Sequence, residues 1–230
     1  DQVCALVAGG GYAEYVAVPE VQVLRVPRGL PLPSAAALPE TFFTVHTNLY
    51  DSAALRAGET VLIHAGSSGI GTTAIQMAAA LGSRVFTTVS SDSRIASCEA
   101  LGAEIAVNYR TTDYVAVLKE ATGGRGVDVI LDMRAGPFFP RNLDLIATGG
   151  RIVQIASLAG REVVLDVGLL MRKRAIVTGT TLRARPIEEK GRIAYALEQT
   201  VWPLLDQGRI APQIDCILPL RDADRKSTRL

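Results

Sequence analysis

The chain is poor in the residues that build cross-linked, metal-held or membrane-spanning proteins. Cys4, Cys98 and Cys216 are its only cysteines. Scattered and odd in number, they form no disulfide framework and no metal-type pair, and a reducing cytosol is the simplest compartment for them. No apolar run approaches the roughly 20 residues that span a bilayer, and no charged-then-apolar leader precedes a small-residue cleavage site. The net charge is +1 and the basic residues gather into no long run, so neither a nucleic-acid nor an acidic-membrane footprint is present. Internal repeats and low-complexity segments are absent as well. What remains is 230 residues with 48% apolar content, enough for a buried core and for one large domain or two small ones.

Between residues 60 and 180 short apolar runs alternate with helical patterns. The runs are Val61–Ala65, Val85–Val89, Ile105–Asn108, Val127–Asp132, Arg151–Ala156 and Ala175–Gly179. They are rich in Val and Ile and apolar on both faces, as in a buried parallel sheet. Helices are expected over Gly71–Leu81, Asp92–Leu101, Asp113–Ala121 and Pro140–Ile146, with glycines just past their ends. That alternation predicts a doubly wound α/β domain. The flanks read differently: strands over Val3–Val7, Tyr12–Val18, Val23–Val26 and Ile214–Leu220, and helices over Phe42–Leu55 and 187–207.

One stretch, His64-Ala65-Gly66-Ser67-Ser68-Gly69-Ile70-Gly71, joins an apolar strand to a helix of small residues. Strand, glycine turn and helix is the layout that sets a pyrophosphate on a helix N-terminus. Gly66 is expected to make the tight turn, Gly69 to let the backbone approach phosphate oxygens, and Gly71 to let the helix pack on the sheet. The G-x-G-x-x-G pattern is not fully met, because Ser68 replaces the second glycine. Alone it is a weak signal.

Longer stretches carry a more specific likeness. GGGYAEYVAVP (9–19), AAALPETFFTVHTNLYD (35–51), AGETVLIHAGSSGIGTTAIQMA (57–78), LGAEIAVNYR (101–110), GGRGVDVILDM (123–133), GGRIVQIA (149–156), TLRARP (181–186) and VWPLLDQGRI (201–210) together resemble the medium-chain dehydrogenase/reductases, in their zinc-independent quinone oxidoreductase branch. The resemblance implies a Rossmann doubly wound parallel sheet inserted in an incomplete GroES-like β-rich catalytic domain. Residues 45–181 would form the NADPH-binding Rossmann domain, and residues 1–44 and 182–223 part of the catalytic domain. Most of the N-terminal half of that domain and the strand beyond Leu220 would be missing. Residues 224–230, basic and without periodicity, read as a non-native tail.

The cofactor follows from the residue about 20 positions past the glycine loop, which reads the adenine ribose. Ser91 stands there, and Thr87 to Ser91 offer no carboxylate to hold both ribose hydroxyls. Arg94 follows, and a guanidinium can clamp a 2′-phosphate. Tyr109 ends the third strand within reach of the same phosphate. In the resembled branch Ser, a basic residue and Tyr at these places bind NADPH, so NADPH is preferred over NADH. Asp92 is the dissenting charge. Ser91 reads equally well as a helix N-cap. Near the nicotinamide the resemblance points to Thr44, Ala156, Ser157, Leu158, Thr180, Thr181 and Leu182; at the pyrophosphate, to Gly66, Ser67, Ser68, Gly69, Ile70 and Gly71.

Two departures stand out. His46 replaces an expected aromatic. Asp132-Met133-Arg134-Ala135-Gly136 replaces an apolar-Gly-Gly turn, where Arg134 either touches the cofactor or faces water. Zinc relatives carry a third ligand where this chain has Glu40, and their other ligands would lie before residue 1; it is the resemblance to the zinc-independent branch that implies no metal. The implied chemistry is direct hydride transfer from NADPH to a quinone-type acceptor. Reduction of an enone double bond and a non-catalytic NADPH-binding role are the alternatives. A homodimer paired through the sheet edge at Ala175–Gly179 and a cytoplasmic location complete the expectation.

Overall fold

From the amino end, a two-stranded antiparallel ribbon forms first: β1 (Val3–Ala5) pairs with β2 (Val23–Arg25), Val3 opposite Arg25. Short α1 (Leu32–Ala35) and α2 (Leu38–Val45) follow, and α2 runs on into a π-helical turn at His46–Ser52. The computed structural model describes residues 1–222, so the tail expected at 224–230 lies outside the described residues. The described chain divides into two compact units, one of Asp1–Phe43 with the chain from Arg183 onward, the other of Thr44–Leu182.

The second unit is one parallel sheet. Its strands are β3 (Thr60–Ile63), β4 (Arg84–Val89), β5 (Ile105–Asn108), β6 (Val127–Asp132), β7 (Ile146–Gln154) and β8 (Ile176–Gly179), in the order β5-β4-β3-β6-β7-β8. All four residues of β3 are buried, because helices cover both faces of a doubly wound sheet. Those helices are α3 (Gly69–Ala80), α4 (Ile95–Ala100), α5 (Tyr114–Ala121), α6 (Phe138–Leu145) and α7 (Val167–Lys173). Leu62, Phe86, Ile130 and Ile152 from four adjacent strands meet Leu118 and Leu143 in one apolar cluster. Strand order reverses between β3 and β6, and ligands of open α/β sheets bind at the carboxyl ends beside such a reversal.

Within the first unit the main helix, α8 (Ile187–Thr200), packs on the turn at Glu20–Gln22. Gly191 permits that approach: a Cβ there would lie 2.9 Å from the Val21 Cβ. Helix α9 (Trp202–Asp206) closes on the ribbon, with Trp202 Nε1 donating to the Arg25 carbonyl at 2.7 Å and Arg25 forking onto Asp206 at 3.1 and 2.6 Å.

Several expected elements differ. Tyr12–Val18 is not a strand; Tyr12 and Tyr15 are 80% and 90% exposed, and no partner strand flanks the segment among the described residues. Ile214–Leu220 is irregular for the same reason. The single helix expected over 187–207 breaks at Val201, because Pro203 has no N–H to give and its ring crowds the carbonyl four residues back. Strand β7 starts at Ile146 rather than Arg151, with a register shift between Val127 and Val129. Gly150 allows this, since a Cβ there would meet Ile146 Cγ1 at 2.6 Å. Helix α7 was not expected at all; Asp166 caps it through the Leu169 N–H at 2.8 Å.

Candidate functional site

The turn from β3 into α3 is closed by its own side chains. Ser68 is the N-cap, its Oγ accepting from Gly71 N at 3.0 Å. The serine in place of the second glycine thus satisfies one of the helix's free N–H groups. The left-handed residue of the turn is Ala65, at φ 55°, and not Gly66. Gly66 serves close packing instead: a Cβ on it would sit 2.1 Å from Thr87 Oγ1, which itself donates to the Ile63 carbonyl at 2.6 Å. Gly71 packs equally tightly, with a virtual Cβ 2.3 Å from the Ala65 carbonyl oxygen. Helix α3 therefore lies hard against the turn, its N-terminus and positive dipole end opening at the carboxyl edge of the sheet.

Beside this turn lies a cavity of about 270 Å³, walled by Ala65, Ser67, Ser68, Val89, Ser90, Arg94, Tyr109 and Arg134. Four of the residues expected to hold the nucleotide, Ser67, Ser68, Arg94 and Tyr109, thus share one wall. Arg94 Nη1 donates to the hydroxyls of Ser67 and Ser90, each at 3.3 Å. Ser91, the expected ribose residue, is not on this wall. Its hydroxyl pairs with Ser93 at 3.0 Å, and Ser90 stands on the cavity instead. The dissenting carboxylate, Asp92, accepts from Asn108 Nδ2 at 2.8 Å. Among the described residues neither Arg94 nor Arg134 forms an ion pair.

Under the site runs a buried polar chain that sequence reasoning did not foresee. The oxygens of Asp132 accept from Arg134 N (2.6 Å), Ala135 N (3.1 Å), Asn142 Nδ2 (2.9 Å) and Gln154 Nε2 (2.7 Å). With its amide nitrogen committed, Asn142 accepts at Oδ1 from Tyr114 OH at 2.9 Å and from His64 Nε2 at 2.8 Å. His64 therefore carries its proton on Nε2, and its Nδ1 accepts from the Thr88 hydroxyl at 2.8 Å. Full burial holds the His64 pKa below its ordinary value, so the ring is a neutral link in the scaffold and not a base. Asp132 orders the turn after β6.

The remaining expected residues form a second group. Asn48, in the π-helical turn, donates to the Thr44 carbonyl at 2.7 Å and accepts from Thr180 Oγ1 at 2.5 Å, so it ties Thr44 to the end of β8. Its position four residues after Thr44 was the available signal, since an Asn can bond back one helical turn. Ala156, Ser157 and Leu158 are exposed on the turn after β7, where Leu158 N donates to the Met133 carbonyl at 3.1 Å. Thr181 is exposed and Leu182 half-buried. Among the described residues no group of three or more His, Cys, Asp or Glu side chains could hold a metal ion. No helix among them is long and apolar enough to cross a membrane.

A parallel sheet of this order, with a capped glycine turn at its reversal point, defines a doubly wound fold of the dinucleotide-binding class. The chain belongs to the zinc-binding dehydrogenase family of the medium-chain dehydrogenase/reductases, whose profile matches residues 69–198, and within that superfamily it is quinone oxidoreductase-like. It is 31% identical over 211 residues to the human quinone oxidoreductase, covering 92% of this chain and 62% of that protein. It is 39% identical over 158 residues to the lovastatin diketide synthase lovF of Aspergillus terreus, covering 67% of this chain and 6% of that protein. Among solved structures it superposes on the quinone oxidoreductase of Thermus thermophilus, a protein also solved with NADPH, at a TM-score of 0.84 with 34% identity, over 98% of this chain and 71% of that one. The JamJ enoyl reductase gives a TM-score of 0.76 with 29% identity, over 91% of this chain and 63% of that one. The chain thus spans less than two thirds of the curated relatives named here.

Proposed function

We propose that this chain is part of an NADPH-dependent oxidoreductase that passes hydride directly, without metal, to a quinone-type acceptor. In this reading residues 45–181 hold the nucleotide, and residues 1–44 with 182–223 contribute part of a GroES-like catalytic domain. The backbone from Gly66 to Gly71 receives the pyrophosphate at the N-terminus of α3. Arg94, with Ser91 and Tyr109, receives the 2′-phosphate. Thr44, Ala156 to Leu158 and Thr180 to Leu182 border the nicotinamide, with Asn48 fixing the spacing between Thr44 and Thr180. When bound, the reduced nicotinamide supplies the hydride; the protein supplies position and a dry setting. A cytoplasmic homodimer paired along β8 completes the reading.

The observation that carries it is a guanidinium, Arg94, without an ion-pair partner among the described residues, at a strand end with no carboxylate to hold a 2′-hydroxyl. The expected outcome for Arg94→Ala is weaker NADPH binding by about tenfold, with NADH binding nearly unchanged. Calorimetric titration with both nucleotides tests this, and equal losses on both would refute it.

A second reading, reduction of an activated carbon–carbon double bond, is favoured by the likeness to an enoyl reductase structure and to a polyketide synthase. Steady-state rates of the full-length protein with 9,10-phenanthrenequinone and with α,β-unsaturated aldehydes separate the two. Higher kcat/KM on the quinone supports the first reading, and higher kcat/KM on the alkenal replaces it.

A further inference from the structure

Arg134 stands on the turn after β6, far along the chain from Arg94, yet the fold places both on the wall of one cavity. Its backbone is pinned on both sides. Asp132 Oδ1 accepts its N–H at 2.6 Å, and its carbonyl accepts from Ala159 N at 2.8 Å. The turn it occupies has little freedom, because Ala135 holds φ 54° and a Cβ on Gly136 would meet the Ala159 oxygen at 2.5 Å.

The side chain is placed as firmly as the backbone. Its Cζ lies 5.1 Å from the ring centroid of Tyr109 and 4.8 Å from that of Phe138, two rings set edge to face at 5.1 Å. Two aromatic faces attract the cation and restrict its rotamers, so little further entropy is lost when it meets an anion. The Nε atom is buried and has no hydrogen-bond partner among the described residues. A buried donor left unmade is costly.

The charge balance points the same way. Two guanidinium groups wall a cavity of about 270 Å³. The two acids nearest in sequence do not pair with them: Asp92 is taken up by Asn108, and Asp132 by Asn142, Gln154 and two backbone N–H groups. Like charges beside low-dielectric walls raise the potential in the space between them. A planar guanidinium suits phosphate oxygens through paired donors. The cavity's volume falls below the about 300–1,000 Å³ usual for drug-sized ligands, which suits one end of a dinucleotide.

We propose that Arg134 is a second phosphate-binding cation that works with Arg94 to set this site's preference for a nucleotide carrying a ribose 2′-phosphate. The proposal rests on the NADPH reading above. Arg134 is a second specificity-determining residue beside Arg94, and the Tyr109–Phe138 corner is what positions it.

The test is calorimetric titration of the 230-residue chain with adenosine 2′,5′-bisphosphate and adenosine 5′-monophosphate, on wild type, Arg134→Gln and Arg134→Lys. Circular dichroism and thermal melting check that each variant folds. Loss of about tenfold on the bisphosphate for Arg134→Gln, with the monophosphate within about twofold, supports the proposal. Arg134→Lys keeps the charge without the fork, and is expected to lose about threefold on the bisphosphate alone; this variant decides the matter if the glutamine one does not fold. Equal losses on both probes would mean that the guanidinium stacks on the base, and would overturn the proposal. No loss on either would mean that it faces water, and would overturn it too. Wild type binding both probes equally would bring down the NADPH reading itself, and this proposal with it.

Discussion

A methyl group added at Gly71 would sit 2.3 Å from the Ala65 carbonyl oxygen and 2.6 Å from that of Gly66. Both obstacles are backbone, so α3 must shift away from the sheet or the turn must open. A methyl at Gly66 meets a side chain instead, Thr87 Oγ1 at 2.1 Å and Cγ2 at 2.9 Å, with Cβ at 3.0 Å. The two glycines are therefore distinguishable by experiment. Gly71→Ala and Gly66→Ala are each expected to cost about 1–3 kcal/mol, as overpacking does. Thr87→Ala in the Gly66→Ala background removes the two closest atoms and should restore about half of that loss, whereas in the Gly71→Ala background it should restore nothing. Urea denaturation of the three single and two double variants measures this. Rescue of Gly71→Ala by Thr87→Ala would show that the side chain, and not the backbone, limits the turn. His64 gives a second prediction at this scale. Its pKa is lowered in the folded state by burial, so the unfolded chain takes up a proton that the folded chain refuses. Stability is then complete above the unfolded His value of about 6.5 and falls as pH drops below it, by at most about 1.4 kcal/mol per pH unit. The lowered carboxylates, Asp128 at about 2 beside Arg125 and Glu59 forked by Arg151, add their losses only at lower pH, in and below the ordinary carboxylate range. Urea midpoints between pH 7.5 and 5 should therefore decline in wild type and flatten in His64→Gln. An unchanged slope in the variant would assign the decline to another group.

The elements differ in how far local pattern determined them. The parallel strands were legible because a strand buried on both faces is apolar through its middle, as residues 61–63 and 129–131 are, and such runs can take few other forms next to glycine turns. The glycine turn was legible for a similar reason, although Ala65, the residue before the expected tight-turn glycine Gly66, holds its positive φ. Tyr12–Val18 and Ile214–Leu220 show why alternation is weaker evidence. It states which face a strand would bury, and says nothing of whether a neighbouring edge exists to pair with it. Asp166 before Val167–Lys173, with Arg172 and Lys173 in the last turn, was a readable helix signal that was missed. Candidate site residues next to the glycine turn were legible because a helix N-terminus and the next strand end are local features. The Arg94–Arg134 pairing was not. It depends on β6 crossing back to lie beside β3, a long-range event that no local spacing encodes. The Asp132–Asn142–His64–Thr88 chain shares that origin, since its members come from two strands, the turn after β3 and a helix.

At the scale of the whole molecule, the open question in the sheet is its last strand. β8 pairs with β7 on one side, Ile152 opposite Val177, and has no strand on the other among the described residues. Ile176 and Val177 are 56% and 40% exposed, and Val167 and Met171 of the adjoining α7 are 56% and 70% exposed. A free edge with apolar residues beside it is a template for pairing with another chain, and two copies related by a twofold axis satisfy both edges at once in a closed dimer. Proteins that keep such an edge single usually blunt it with charge or proline, and β8 (Ile-Val-Thr-Gly) carries neither. Sedimentation equilibrium at micromolar concentration should therefore return twice the mass of 24.4 kDa. Val177→Lys places a charge at that edge and should shift the equilibrium toward monomer by about tenfold or more. The cavity beside the glycine turn lies by the carboxyl ends of β3, β4, β5 and β6, and Val177 is not among the residues that wall it, so the variant should bind adenosine 2′,5′-bisphosphate as wild type does. A wild-type monomer across the micromolar range would remove the edge-pairing proposal and leave the cavity untouched. A dimer insensitive to Val177→Lys would mean that the copies meet through another face.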